Sequence, residues 1–194
     1  MKKLMFTLLS VILVASFSAF VAPGKDYTVD AAASELKWTG YHLAKSYEHT
    51  GFIKVKSGKL NVNKGSIESG EFVIDMNSIS CTDLTDEGKA AKLVGHLKSP
   101  DFFDVANNPE AKLVIKKTEK GANGTLKASG DLSIRGITKP IEFEVKLTEK
   151  GDAVEAVADI KVKRNEFNVL YGWTLENAMI SGEFLLQAKI VAKK

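Results

Sequence analysis

Hydrophobic and polar residues alternate one by one along most of the chain. The longest rows place an apolar or small residue at every second position: Leu126, Ala128, Gly130, Leu132 and Ile134; Ile141, Phe143, Val145 and Leu147; Val154, Ala156, Ala158, Ile160 and Val162; and Ile180, Gly182, Phe184, Leu186, Ala188 and Ile190. The shorter rows are Phe72, Ile74 and Met76; Leu113 and Ile115; Leu36 and Trp38; and Leu60 and Val62. A period of two predicts antiparallel strands with one buried and one solvated face.

Glycine with polar neighbours separates these rows, as at 56–58, 63–65, 121–124 and 150–152. Such breaks are typical of hairpin turns. Eight to ten strand candidates joined in this way predict a single all-β domain, either a barrel or a sandwich.

One segment, 85–97, departs from the alternation and spaces its apolar residues as a helix does. Thr85 or Asp86 could cap its start, and Pro100 prevents it from continuing. We therefore expect a short helix or an irregular crossover between residues 76 and 112, lying across the barrel.

The N-terminus carries the features of an export signal. Lys2 and Lys3 precede a charge-free run over 4–21, and small residues gather at 15–19. The run is long enough for a retained membrane anchor, but the small residues near its C-terminal end favour a secretory signal peptide. We predict a signal peptide over 1–22, cleaved within 18–22, and a mature domain over 23–194 that is periplasmic or secreted and not stably inserted in a membrane.

Charge and cysteine content narrow the functional classes. Removal of the two signal lysines lowers the formal net charge from +3 to +1, with 25 basic against 24 acidic residues left. No concentrated basic patch remains, so we expect no nucleic-acid partner. Cys81 is the only cysteine, which excludes an internal disulfide and leaves stability to the core.

No catalytic motif is present. Cys81 has no sequence-adjacent base and is predicted to be an inert thiol. The three histidines, His42, His49 and His96, have no metal-binding spacing. We therefore expect no enzyme activity, no metal and no cofactor.

Charged residues near the aromatic pair Phe102 and Phe103 are expected to be structural. Asp101 and Asp104 should cap turns. Ion pairs that tie distant segments together are predicted between the basic side chains of Arg135, Lys139 and Arg164 and the acidic ones of Asp101, Asp104 or Glu166. Alternatively, one of the three basic side chains meets a ligand head group.

The pattern alone leaves open whether the barrel is packed or hollow. Small residues such as Ala128, Ala158 and Gly182 lie in the inward rows among large ones. They could fit the taper of a filled barrel or leave an apolar space.

Three motifs resemble those of the YceI-like family. Residues 96–105 (HLKSPDFFDV) are similar to its HL-x-S-x-DFFDV motif, 130–140 (GDLSIRGITKP) to G-x-LTI-x-GVTKP, and 160–167 (IKVKRNEF) to its I-x-R-x-x-F element. The resemblance implies a lipocalin-like, eight-stranded antiparallel β-barrel with a long apolar tunnel. It also implies binding of polyisoprenoid or quinone-like lipids in the periplasm, and so favours the hollow barrel.

In a hollow barrel, apolar and aromatic side chains of the inward rows would line the tunnel. The predicted ligand-binding residues are Trp38, Phe72, Ile74, Phe102, Phe103, Leu132, Ile134, Phe143, Ala156, Ala158, Tyr171, Trp173 and Phe184. The expected function is to bind, sequester or carry an isoprenoid or other long-chain lipid. The alternative is a packed barrel that serves as a stress-response or protein-interaction module without a lipid.

Overall fold

Long antiparallel strands dominate a computed structural model that describes residues 23–43, 47–170 and 179–194. The strands in these ranges are β1 (Lys25–Val29), β2 (Glu35–His42), β3 (Tyr47–Asn63), β4 (Ser66–Asp75), β5 (Glu110–Lys120), β6 (Leu126–Ile134), β7 (Ile137–Lys150), β8 (Ala153–Lys163) and β9 (Ile180–Lys193). The same ranges contain one α-helix, α1 (Glu87–Lys98), and short 3₁₀ turns at Met76–Ser78, Ala122–Gly124 and Arg164–Phe167. No helix within these ranges combines the length and the apolar character that a membrane crossing requires.

The sheet closes into a barrel. Its strands follow the order β1-β3-β2-β9-β8-β7-β6-β5-β4, and β4 pairs back onto β3. β1 and β2 each pair with both β3 and β9, at opposite ends, so the two short strands occupy one position between them. The nine strands therefore form eight barrel positions, all antiparallel, which confirms the predicted fold.

A local hydrogen-bond network bridges the break between β1 and β2. Asp30 Oδ1 accepts from the amides of Ala32 and Ala33 at 3.2 and 3.1 Å. The Ser34 hydroxyl donates to the Asp30 carbonyl and accepts from the amide of Val191, at 2.8 and 3.0 Å. These bonds satisfy backbone groups at the interruption, so the barrel wall stays continuous.

The predicted inward rows face the core. On β6 the residues from Leu126 to Ile134 alternate between buried and less buried positions, and on β8 the residues from Val154 to Val162 do the same. Close packing marks the end of the barrel formed by β1 and the far halves of β3 and β9. Here Tyr27, Leu60 and Val154 are each no more than 2% exposed. We call this end the base.

Two hairpins fix the strand register with a pair of left-handed residues. Arg135 and Gly136 join β6 to β7 with φ of 52° and 73°, and Lys64 and Gly65 join β3 to β4 with φ of 49° and 76°. Positive φ at both central residues matches the tight turn that suits the twist of paired strands. Gly130 has another role, because a Cβ there would lie 2.0 Å from the carbonyl oxygen of Val114 on β5.

The crossover from β4 to β5 covers the end opposite the base, which we call the mouth. α1 begins after Asp86, whose side chain accepts from the amide of Lys89 at 2.9 Å, and it ends before Pro100. The predicted helix and its Asp86 cap are therefore confirmed. No α1 side chain is fully buried; Leu93 and Leu97 are half-buried on the face toward the barrel.

Candidate functional site

Two apolar cavities lie inside the barrel. The outer chamber, of about 110 Å³, lies toward the mouth, and the inner chamber, of about 50 Å³, lies toward the base. Ile74 and Leu186 line both of them, so the two chambers adjoin at these side chains. The walls of the inner chamber are wholly hydrocarbon, and those of the outer chamber nearly so.

The structure gathers every described member of the predicted ligand-binding set around these chambers. The outer chamber is lined by Trp38, Ile74, Phe102, Phe103, Leu132, Ile134 and Phe184, and the inner chamber by Phe72, Ile74, Phe143, Ala156 and Ala158. Tyr171 and Trp173 lie outside the described residues. Contact of any of these side chains with a ligand stays a prediction.

Other lining residues were absent from the predicted set. Ile53, Met76, Ala111 and Leu97 border the outer chamber, from β3, the 3₁₀ turn after β4, β5 and α1. Met76 ends the predicted row of Phe72 and Ile74, whereas Ala111 lies just before the short row of Leu113 and Ile115 and was not assigned a face. Leu186 belongs to the predicted β9 row, and its position between the chambers depends on the barrel's three-dimensional closure.

Aromatic rings close the outer chamber toward the mouth. The rings of Phe102 and Phe103 meet edge-on with centroids 5.0 Å apart, and Phe103 meets Phe184 of β9 in the same way at 6.1 Å. Edge-to-face contacts at these distances are favourable for aromatic rings. The phenylalanine pair therefore lines the barrel end.

Arg135 holds this aromatic segment in place through main-chain oxygens. Its guanidinium donates to the carbonyls of Phe102 at 2.9 Å, Pro100 at 2.7 Å and Asn168 at 2.5 Å. The predicted tie between segments is present, but the expected carboxylate partners, Asp101, Asp104 and Glu166, are not the groups bound by Arg135. Loop carbonyls replace them because both loops turn their backbone toward the β6–β7 hairpin.

Arg164 ties the β8 end to β9 in the same manner. It is 2% exposed and donates to the carbonyls of Ser181, Val169 and Ile180 at 2.7, 2.7 and 3.1 Å. Burial lowers the pKa of its guanidinium, yet an arginine keeps its charge at neutral pH. Among the described residues, the partners of Arg164 are thus carbonyls rather than Asp101, Asp104 or Glu166, and Glu166 instead lies 3.8 Å from Lys163.

Asp104 takes the turn-capping role predicted for it. Its carboxylate accepts from the side-chain amides of Asn107, at 3.0 and 3.2 Å, and Asn108, at 3.2 Å. Its own φ is 49°, in the left-handed region that aspartate tolerates. The Asp104 carboxylate is therefore engaged in the turn that follows the phenylalanine pair.

A third and wider cavity opens outside the two apolar chambers. This mouth chamber measures about 340 Å³ and shares Trp38, Leu97 and Phe102 with the outer chamber. Its remaining wall is mixed, with Tyr41, His42, Tyr47, His49, Leu93, His96 and Met179 among its lining residues. In the part of the chain that the structure describes, no three His, Cys, Asp or Glu side chains are placed to hold a metal.

Cys81 lies beside this chamber without an activating partner. Its thiol donates to Asp83 Oδ1 at 3.3 Å, and Asp83 Oδ2 lies 2.7 Å from Nδ1 of His49. Burial, together with the neighbouring carboxylate, raises the pKa of the Cys81 thiol. A raised pKa keeps the thiolate fraction low, so this geometry does not support a nucleophile.

Fold and site together define a closed antiparallel barrel whose apolar interior opens through a mixed, wider mouth. The sequence profile of the YceI-like domain matches residues 27–192, and the chain belongs to that family.

Two sequence relatives and two solved structures agree with this assignment. A UPF0312 protein of Shewanella denitrificans is 28% identical over 128 residues, 65% of this chain and 64% of its own. One of Pseudomonas putida is 28% identical over 139 residues, 71% of this chain and 69% of its own. The crystal structure of Burkholderia cenocepacia BcnA matches with a TM-score of 0.66 at 20% identity, over 85% of this chain and 99% of that one. The Campylobacter jejuni YCEI protein matches at 0.54 and 18%, over 100% and 99%. At these identities the solved structures show the shared fold.

Proposed function

We propose that this protein binds an amphiphilic, isoprenoid-type lipid and sequesters or carries it in the periplasm, without chemical conversion. The lipid chain lies in the outer and inner chambers. The observation that carries this proposal is the meeting of two apolar chambers at Ile74 and Leu186, continued outward by the mouth chamber. Membership of the YceI-like family supports the same function.

The volumes of the three cavities favour an amphiphile over a compact ligand. They grow from about 50 through about 110 to about 340 Å³ between base and mouth, and polar side chains concentrate in the widest one. A thin apolar chain with a bulkier polar end has the same profile. A compact polar ligand would find few hydrogen-bond partners in the two apolar chambers.

Transfer of the chain out of water supplies the driving force. Each buried methylene contributes about 0.8 kcal/mol. Association costs about 4–15 kcal/mol in lost freedom, so about fifteen buried carbons, contributing about 12 kcal/mol, are needed before binding becomes tight. Short-chain ligands should therefore bind weakly.

A second candidate is a packed barrel that acts as a protein-interaction or stress-response module. The small size of the two apolar chambers, about 110 and 50 Å³, favours it, because small-molecule pockets commonly span about 300–1,000 Å³. The two candidates differ in one measurable property, which is whether the exported protein carries lipid.

Lipid extraction and mass spectrometry of protein purified without detergent provide the test. The proposal expects about one lipid per chain in the wild type and little or none in Leu186→Trp, because the larger ring fills the junction between the chambers. Leu185→Trp is the matched control, since Leu185 is the next residue on β9 and lines neither chamber. Lipid-free wild type, or equal lipid in both variants, would contradict the proposal.

A further inference from the structure

All three histidines of the chain line the mouth chamber, although His96 is far from the other two in sequence. His42 lies on β2, His49 on β3 and His96 in the last turn of α1. The β2–β3 register brings the first two together, because Gly40 pairs with His49 and His42 pairs with Tyr47. The crossover helix adds the third from the opposite wall.

Ring contacts order part of this group. His42 stacks on Tyr47 with ring centroids 4.9 Å apart, and Tyr47 meets His49 at 5.0 Å. Asp83 fixes the His49 ring through Nδ1 at 2.7 Å and is itself held by the amide of Thr50 at 2.8 Å. Fixing Nδ1 determines the orientation in which His49 presents the rest of its ring to the chamber.

The charged groups around the chamber are unequal in sign. Among its described lining residues the ionisable ones are the three imidazoles and the phenols of Tyr41 and Tyr47, with no carboxylate. On the surrounding elements, Asp83 is engaged by His49, and Glu48 of β3 and Lys92 of α1 are exposed and do not line the chamber. Glu183 and Arg164 line the outer chamber, and Arg164 is engaged by backbone carbonyls.

We propose that the mouth chamber is a head-group site for an anion, a phosphate or carboxylate, at the end of the lipid whose chain fills the two apolar chambers. This inference rests on the proposed function. Imidazoles gain positive charge as the pH falls through about 6.5. A bound anion compensates that charge and accepts charge-assisted hydrogen bonds from the rings. Affinity for an anionic lipid should therefore rise with acidity.

Two probes that share the same lipid chain and differ in their head group test the site. Geranylgeranyl sulfate keeps its charge over the range from about pH 5.5 to about pH 8, so only the protein titrates, and geranylgeraniol is its neutral match. We expect the sulfate to bind the wild type about tenfold more tightly at the acidic end, and the alcohol to bind equally at both.

Substitutions show which side chains cause the pH dependence of sulfate binding. His42→Gln with His96→Gln should abolish the pH dependence for the sulfate, and binding of the alcohol by this variant should stay independent of pH. Lys161→Gln is the charge control, because it removes a cation from an exposed β8 position that lines none of the chambers and should keep the pH dependence. If the double variant unfolds, His96→Gln alone, at an exposed position on α1, should still reduce the dependence.

The outcomes separate this inference from the carrier function. If neither probe binds the wild type at any pH, both proposals fail. If both probes bind and the sulfate shows no pH dependence, or the double variant retains it, the head-group site is overturned and the carrier function stands. If the pH dependence is found, binding of geranylgeranyl phosphate and geranylgeranoic acid at one acidic pH identifies which anion the site prefers. If neither binds more tightly than the alcohol there, the head-group site is overturned.

Discussion

At the base of the barrel, Tyr27, Val154 and Ala192 are each no more than 1% exposed and line none of the chambers. At the mouth, Trp38, Leu97 and Phe184 are only partly buried and surround open space. The strands run from one region to the other with the same alternation. The difference in packing therefore comes from the inward side chains and from the segments that cover the two ends. The base provides the stability of a chain without disulfides, and this leaves the mouth free to keep a cavity.

The largest effect should come from the buried arginine that anchors β9 near the mouth. Arg164→Met leaves three backbone carbonyls without their donor. An unsatisfied buried acceptor costs about 1–3 kcal/mol, so we expect the free energy of unfolding to fall by about 4 kcal/mol in total. Denaturant unfolding measures it.

Arg135→Met is the matched control for that variant. Arg135 also donates to three carbonyls but is only half-buried, so water can replace it. We expect less than about half the loss seen for Arg164. Equal losses in the two variants would show that burial does not distinguish the two arginines.

A leucine pair compares the base with the chambers directly. Leu126→Ala removes a side chain near the base that is 7% exposed and lines none of the chambers, and it should lower the free energy of unfolding by about 3 kcal/mol. Leu186→Ala, half-buried between two cavities, should cost about half as much in the lipid-free protein, because fewer contacts are lost. A larger loss at Leu186 than at Leu126 would mean that the chambers are packed in solution.

The contribution of Asp83, in the loop beside the mouth, to the stability of the fold should depend on pH. Desolvation opposes the shift, but hydrogen bonds from His49 and Thr50 leave the pKa of Asp83 below its usual value. A carboxylate with a lowered native pKa stabilises the fold above its unfolded pKa, about 3.9, and loses that contribution as the pH falls through the native value. Asp83→Asn should therefore flatten part of the decline in stability below about pH 4. An unchanged slope in thermal melts would exclude this role.

Cys81→Ser should have the smallest effect. The thiol has a raised pKa and a single weak donor bond to Asp83, which serine can replace. We expect unchanged lipid content and a change in stability within about 0.5 kcal/mol. Loss of lipid with an intact melting transition would give the thiol a role in binding.

Local pattern predicted the strands well and the non-local contacts poorly. The β6 and β8 rows were predictable because strict alternation requires only neighbouring residues. The break between β1 and β2 was not, because Ser34 bridges it by bonding to Val191, 157 positions away.

The site shows the same division between local and non-local information. Inward aromatic and small residues were identifiable as lining candidates. Carboxylates were expected to bind Arg135 and Arg164, whereas the described partners are carbonyls, because loop backbones converge only after the barrel closes. The convergence of His42, His49 and His96 was likewise invisible, since it depends on the β2–β3 register and on the position of α1.

Intermolecular nuclear Overhauser effects between methyl-labelled protein and geranylgeraniol show directly whether the lipid chain lies inside the barrel. We expect contacts from the chain to the methyl groups of Ile74 and Leu186, which line both chambers, and none to the exposed Val114 and Val157 on the outer wall. Contacts confined to Val114, Val157 or other outer-wall methyl groups, with Ile74 and Leu186 silent, would contradict this expectation.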